Sequence, residues 1–425
     1  MRRRAISVGV LLTVLALVAG ACGGGTTAPA SSAPAATVAA TAAPTAAPAA
    51  KTVKIVSSLP LTGSSATQTT QIVNAIKMAL DEINSKVGNV TIQYDSLDDA
   101  TAAKQQWDAT QEAENARKVI ADKSVVAYIG TFNSGAAKVS IPLLCQAGIV
   151  MVSPANTYPG LTKGPEKGAE KDEPGKYYPG GCKRNYSRVV PADDIQGAVG
   201  AIWAKELGAK KVYIIHDTQL YGKGIADVFR AKAKELGIAE AGYEGADKAD
   251  NYRALANKVK DAGADFVYYG GITQQNAAIV LKDIRAVVTN MPFMGPDGIF
   301  EEEFIKAAGP AAEGVYVTFG GVTPDKYTGK AKEWVDKYKA KFGAKDPDVY
   351  AIYGYEAAKV VIAAIAKAGE KADDRPTILG NVFGTKDFDG VTGKWSFDAN
   401  GDTSLTVMSG AKVVAGKFAF QKELK

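Results

Sequence analysis

The chain has 425 residues, 46% of them hydrophobic and 22% charged, with 50 basic against 45 acidic side chains and a formal net charge of +5. So even a balance, with no arginine-rich patch interleaved with aromatics, excludes a nucleic-acid binder of the strongly basic kind. One histidine, with no HExxH and no CxxC, leaves nothing to build a zinc site, and no metal or cofactor is expected.

The chain opens MRRRAISVGVLLTVLALVAGA. Arg2, Arg3 and Arg4 precede an apolar run from Ile6 to Ala19, and the small residues Gly20 and Ala21 follow. This is the layout of a secretory signal over residues 1–21. The run falls short of the roughly 20 residues that a comfortable membrane-spanning helix needs. Cys22 stands at the expected cleavage point. Losing the three arginines of the signal would lower the formal charge from +5 to +2. Residues 22–50 are almost entirely Gly, Ala, Pro, Ser and Thr after Cys22, without charge or aromatics. Such a segment cannot bury enough apolar surface to offset its ordering entropy, and its prolines favour extended conformations. It reads as a disordered spacer, and its composition leaves glycosylation open.

The signal and Cys22 together resemble the lipobox of bacterial lipoproteins, with Ala19 where that pattern usually has Leu. The resemblance implies export, lipid attachment at Cys22 and anchoring to the outer side of the cell membrane. A simple secreted protein and a retained helical anchor are the alternatives. No later apolar stretch is long enough to span a bilayer.

From Lys51 onward about 375 residues remain, more than one hydrophobic core usually serves, so two domains are expected. Candidate strands are VKIVSSL from Val53, VTIQYDSL from Val90, VVAYIG from Val125, IVMVSP from Ile149, KVYIIHD from Lys211, DFVYYGG from Asp265 and GVYVTFG from Gly314. Several are apolar at consecutive positions, the pattern of strands covered on both faces in a parallel sheet. Helical periodicity separates them, at Ile72, Ile76, Leu80 and Ile83, and again at Tyr252, Leu255 and Val259. Repeated βα traffic predicts an α/β protein with open sheets whose ligands bind beyond the carboxyl ends of the strands. Residues 158–187 break this rhythm and read as a long loop; such a loop is usually functional or pinned. Phe388 to Phe420 reads as antiparallel hairpins. An oxidising compartment would allow Cys145 in a helix and Cys182 in the loop to form a disulfide; two separate buried thiols are the other reading.

The polar residues at strand ends carry the chemistry. Ser134, in GTFNSGAA, is placed to cap a helix whose free N–H groups could receive an anion. SPANTYPGLT offers the Ala155 backbone and the Thr157 hydroxyl. FMGPDG puts Asp297 in a Pro-Asp-Gly turn, where it could hold an ammonium or its own turn backbone. In each case ordinary turn or helix capping is the competing reading. No nucleophile–base pair is evident for Ser134 or Ser153, and His216 is alone, so no enzyme activity is expected.

The ordered blocks KIVSSLPLTG, GTFNSGAA, SPANTYPGLT, HDTQLYGKG, DFVYYGG and FMGPDG resemble an extracytoplasmic substrate-binding protein of the branched-chain amino acid ABC transporter family, over roughly Val53 to Gly401. The resemblance implies two Rossmann-like lobes with open, mainly parallel sheets, a ligand cleft between them and a three-segment hinge. The first lobe would hold 51–191 and 321–390, the second 192–320 and 391–425. It further implies that Ser134 binds a ligand carboxylate, that the Ala155 carbonyl and Thr157 meet the amino-acid head, that Tyr221 approaches from the opposite lobe and that Asp297, where close members have Glu, pairs with the ammonium. Ile272 stands where leucine/isoleucine/valine binders carry Tyr, and small polar residues around Thr67 and Gln68 replace a family aromatic. The implied role is capture of an amino acid or similar small zwitterion by cleft closure, acting as a monomer, and delivery to a membrane ABC permease. Binding of a small urea-type amide, a sensor ectodomain, a structural or adhesive surface protein and a lipid-anchored α/β enzyme are the rival readings.

Overall fold

The computed structural model describes residues 50–343 and 345–425. The signal 1–21, Cys22 and the spacer to residue 49 lie outside the described residues.

The first sheet is built from β1 (Lys51–Leu59), β2 (Lys86–Val87), β3 (Val90–Asp98), β6 (Val125–Gly130), β7 (Val150–Ser153) and β8 (Tyr186–Arg188), with the short ribbon β4 (Ala100–Thr101) and β5 (Gln106–Trp107) beside it. Its order is β2-β3-β1-β6-β7-β8, and every pair is parallel except β2 with β3. Helices α1 (Ala66–Asp81), α2 (Ala109–Ala121) and α3 (Ser134–Gln146) make the crossovers. Every residue of β6 and β7 is buried, as consecutive apolar residues require when both faces are covered. Helix α1 turns Ile72, Ile76 and Leu80 inward, and Ile83 falls in the turn just beyond its end. Helix α2 starts on Asp108, whose carboxylate accepts from Thr110 N at 2.8 Å and Gln111 N at 3.0 Å.

The second lobe runs through α4 (Asp193–Glu206), β9 (Lys211–His216), α5 (Leu220–Glu235), β10 (Ala239–Gly245), α6 (Arg253–Asp261), β11 (Phe266–Gly270), α7 (Ala277–Val287), β12 (Phe293–Gly295), α8 (Glu302–Ala308) and β13 (Tyr316–Gly320). The chain then supplies α9 (Gly329–Phe342), α10 (Ala351–Ala368), α11 (Arg375–Phe383) and the hairpin β14 (Phe388–Gly390) with β15 (Gly393–Trp395). Helix α10 packs on α1, and α11 packs on β6 and β7, so this segment covers the first sheet. The chain ends with β16 (Met408–Val414) and β17 (Lys417–Leu424), a hairpin added antiparallel to β13. The second sheet is therefore β10-β9-β11-β12-β13-β16-β17.

The parallel cores β3-β1-β6-β7-β8 and β10-β9-β11-β12-β13 share one doubly wound order. In such sheets the crevice opens beyond the carboxyl ends of the strands, next to the reversal in strand order. Three passages join the sheets: after Arg188, after Gly320, and between Trp395 and Met408. Arg188 and Asp402 tie two of them. The Arg188 Nε donates to Asp402 Oδ1 at 2.6 Å, and both side chains are buried.

The long loop 158–187 contains only short 3₁₀ turns before β8. It is pinned. Cys145 and Cys182 are joined by a disulfide, with Cα atoms 5.9 Å apart. Buried Glu173 accepts from both Tyr158 and Tyr177. Among the described residues no helix is long and apolar enough to cross a membrane.

Candidate functional site

Five strand ends of the two sheets converge. From the first lobe come Gly130–Ser134 after β6 and Ser153–Thr157 after β7; from the second come Tyr221 after β9, Ile272 after β11 and Asp297 after β12. Ser134, Ala155, Thr157, Tyr221, Ile272 and Asp297 are all buried, Tyr221 at 8% and Asp297 at 6% exposure being the most open.

Asp297 is the hub. Its Oδ1 accepts from the Tyr221 hydroxyl and from Gln196 Nε2, each at 2.7 Å. Its Oδ2 accepts from the Tyr350 hydroxyl, which enters from the first lobe just ahead of α10. Burial pushes the Asp297 carboxyl up from the usual range, against the lowering effect of these donors. Tyr221 and Tyr350 are driven well above 10, by burial first and then by the Asp297 charge, and so stay protonated and donating.

A second acid lies beside it. Asp193, the first residue of α4, is fully buried, and neither of its oxygens has a hydrogen-bond partner. Burial and the Asp297 charge hold its carboxyl well above the usual range. Its backbone N–H donates to the Thr157 carbonyl at 2.8 Å, while the buried Thr157 hydroxyl is itself unpartnered. Two buried carboxylates with the Thr157 hydroxyl beside Asp193 make a cluster suited to a compact cation with several N–H donors.

The start of α3 faces the same region. The sequence places Ser134 at the cap of this helix; the structure puts Asn133 there and makes Ser134 the first helical residue. The difference of one position leaves the Ser134 hydroxyl on the inner side, where it accepts from Tyr158 N at 3.4 Å. The Ser134 and Gly135 amides precede any intrahelical acceptor and can receive an anion. A Cβ on Gly135 would lie 2.5 Å from the Trp107 ring, so the indole covers this helix start and a side chain there is excluded. Ser153 fixes the neighbouring loop: its hydroxyl donates to the Thr131 carbonyl at 2.9 Å and accepts from Ala155 N at 3.1 Å and Asn156 N at 2.8 Å. No N–H or O–H of the described residues reaches the Ala155 carbonyl.

Ile272 packs in a small apolar cluster with Tyr221 and Ile225, and its N–H donates to Asp217 Oδ2 at 3.0 Å. Gln68 is buried and donates through Nε2 to both oxygens of Asp348, at 2.8 and 2.9 Å. Thr67 is exposed on the first turn of α1, so of this pair only Gln68 is buried against the cleft groups. His216 stands apart at the end of β9, where its Nδ1 accepts from Thr218 N at 3.1 Å. Asp193, Gln196, Trp107 and Tyr350 escaped the sequence reading. The only hint of Asp193 was the acidic pair after Pro191, which reads equally well as charge complementing a helix N-terminus.

Two doubly wound lobes with polar strand ends converging between them define a two-lobed solute-binding protein. Residues 52–417 match the periplasmic binding protein family, and the chain belongs to it. It is similar to a Leu/Ile/Val-binding protein homolog of Brucella abortus, 32% identical over 82% of this chain and 86% of that one. It is likewise similar to the leucine-, isoleucine-, valine-, threonine- and alanine-binding protein of Pseudomonas aeruginosa, 30% identical over 83% of this chain and 88% of that one. Among solved structures, the leucine-binding protein LivK of Thermotoga maritima superposes with a TM-score of 0.76 at 27% identity, covering 88% of this chain and 99% of that one. The branched-chain amino acid transporter substrate-binding protein LivJ of Streptococcus pneumoniae, in complex with isoleucine, gives 0.72 at 27% identity, covering 87% and 99%.

Proposed function

We propose that this protein is the extracytoplasmic solute-binding component of an ABC importer, which captures an α-amino acid between its lobes and delivers it to a membrane permease. One observation carries the reading: Asp193 and Asp297 are buried as interacting neighbours, and Asp193 is tied through the Thr157 carbonyl and Tyr158 N to Ser134 at the start of α3. An α-amino acid has an ammonium and a carboxylate on one carbon. The ammonium suits the two acids, the Thr157 hydroxyl and the Ala155 carbonyl; the carboxylate suits Ser134 and the first amides of α3. Tyr350 of the first lobe and Tyr221 of the second both hold Asp297, so occupancy of this point favours the lobes together. The relatives named for leucine, isoleucine and valine support the solute class.

In this reading residues 1–21 are a cleaved signal, Cys22 carries lipid and 22–50 is a tether. The two lobes divide as 51–191 with 321–395 and 192–320 with 408–425; the pairing of Gly393–Trp395 with Phe388–Gly390 and the bond from Thr392 N to Glu356 of α10 move the last crossing beyond the residue 390 that the sequence suggests. Titration calorimetry with a panel of amino acids, amides and carboxylic acids tests the binding role, and saturable heat from amino acids alone is expected. Membrane partitioning of Cys22→Ser tests the anchor, and the variant is expected in the soluble fraction.

A further inference from the structure

Close to the head-group cluster stand two further acids, one from each lobe, near enough for the Asp348 charge to act on Glu301. In the second lobe Glu301 is 6% exposed, and its oxygens accept from Gln274 Nε2 at 3.2 and 3.3 Å. In the first lobe Asp348 accepts from Gln68 Nε2 at 2.8 and 2.9 Å and from Tyr350 N at 3.0 Å. The two clusters are held face to face by the contacts on either side of them. Tyr350, two residues after Asp348, bonds Asp297, four residues before Glu301. Gln275, next to Gln274, donates through Nε2 to Gln106 Oε1 of the first lobe at 2.9 Å.

Carboxylates only accept, so each glutamine must present its N–H₂ to its acid and turn its carbonyl away. Gln68 and Gln274 are 4% and 7% exposed, yet no donor reaches either side-chain carbonyl. No Lys or Arg among the described residues pairs with Glu301 or Asp348. Burial pushes Glu301 up to about 8, with a further contribution from the Asp348 charge, and Asp348 up to about 6. Once ionised, which a neighbouring cation favours, both groups are acceptors, with no protein cation to balance them.

Resting on the amino-acid reading above, we propose that this acid-lined end receives a cationic side chain, an ammonium or guanidinium, and that the solute class is the basic α-amino acids. Donor-rich cations add hydrogen bonds and opposite charge to the carboxylates, and desolvated charge pairing makes them preferred over an alkyl chain. The leucine-type side chain would bring no charge to offset the two carboxylates and no donor for the two amide carbonyls.

The test is titration calorimetry on the purified protein with L-lysine, L-arginine, L-norleucine, L-glutamine and cadaverine. Norleucine has the lysine chain without its terminal nitrogen; cadaverine is lysine without its carboxylate. Lysine or arginine is expected to bind at least thirtyfold more tightly than norleucine. Glu301→Gln and Asp348→Asn are each expected to shrink that ratio tenfold or more, with thermal unfolding confirming that the variants fold. The wild-type ratio needs no variant. Norleucine binding as well as lysine overturns the proposal while leaving the head-group reading intact. Glutamine binding more tightly than both basic amino acids overturns it in favour of a neutral amide. Cadaverine binding where no amino acid does supports the acid-lined end and overturns the head-group reading. Silence from all five overturns both.

Discussion

The Tyr350 hydroxyl of the first lobe donates to Asp297 Oδ2 of the second, so one hydrogen bond at the centre of the cleft joins the two halves. Asp297 is fully surrounded, and its other oxygen is already held by Tyr221 and Gln196. Tyr350→Phe deletes this bond between the lobes, leaves that of Gln275 to Gln106, and keeps the ring. The loss is expected to weaken amino-acid binding by about 1–3 kcal/mol, the usual effect of removing a donor from a buried charged acceptor. Titration calorimetry reads this directly, and unchanged affinity would separate Tyr350 from the bound state.

Asp193 and Asp297 predict a proton exchanged on binding. Both carboxyls are raised, Asp193 well above the ordinary carboxylate range, so the free site holds protons that exposed carboxylates would have lost. An ammonium between them favours the ionised forms, so those protons leave when the ligand enters. Affinity should therefore fall as pH falls. Calorimetry at pH 6 in buffers of different ionisation enthalpy should report net proton release, diminished in Asp193→Asn. Heat independent of the buffer would contradict the pairing.

The sequence carried the scaffold further than the site. Consecutive apolar residues in VVAYIG and KVYIIH announced strands buried on both faces, and both lie inside parallel sheets. Strand ends pointed to Ser134, Thr157 and Asp297, because residues following a parallel strand must face the crevice. The rest arrives from elsewhere in the chain. Tyr350 sits ahead of a helix that returns to the first lobe, and Asp193 begins the helix that follows the first passage between sheets. Tyr350 follows no strand, and Asp193 follows β8 only, so neither is announced by a strand that the sequence pattern reveals. Strand β8 has three residues and β12 three, too short for periodicity to register.

Another buried acid pair, away from the cleft groups, lies within the first lobe. Glu112 accepts from the Ser58 and Tyr128 hydroxyls, each at 2.7 Å, while neither oxygen of Asp99 has a partner. Burial raises Glu112 to about 7 and Asp99 well above the usual range. A carboxyl whose folded pKa exceeds its unfolded one stabilises most below the unfolded value, and that stability is lost as pH rises through the folded value. Asp99→Asn removes one of the charges that cannot form. Its urea midpoint relative to the wild type should rise between pH 5 and pH 8, with a gain at pH 8 on the order of 1–3 kcal/mol. A difference that does not change with pH would refute the assignment.

Arg188 and Asp402 form a buried pair across two passages of the chain, and Arg188 also donates to the Tyr158 carbonyl at 2.8 Å. Asp402→Ala strands the guanidinium without an anion. A loss of about 3–5 kcal/mol in unfolding free energy is expected, as for other broken buried pairs. Urea denaturation measures it; a loss under about 1 kcal/mol, the range of a surface pair, would mean that water reaches Arg188.

The head group itself is tested most directly by three affinities: the tightest-binding amino acid, the amine left when its carboxylate is removed, and the acid left when its amino group is removed. Asp193 and Asp297 require the ammonium, and Ser134 with the start of α3 requires the carboxylate. Both truncated compounds should bind at least a hundredfold more weakly, a difference of about 2.7 kcal/mol. In Asp297→Asn the penalty for losing the amino group should shrink while the penalty for losing the carboxylate persists. Equal binding of the amino acid and its deaminated acid to the wild-type protein would contradict a site built for a zwitterion.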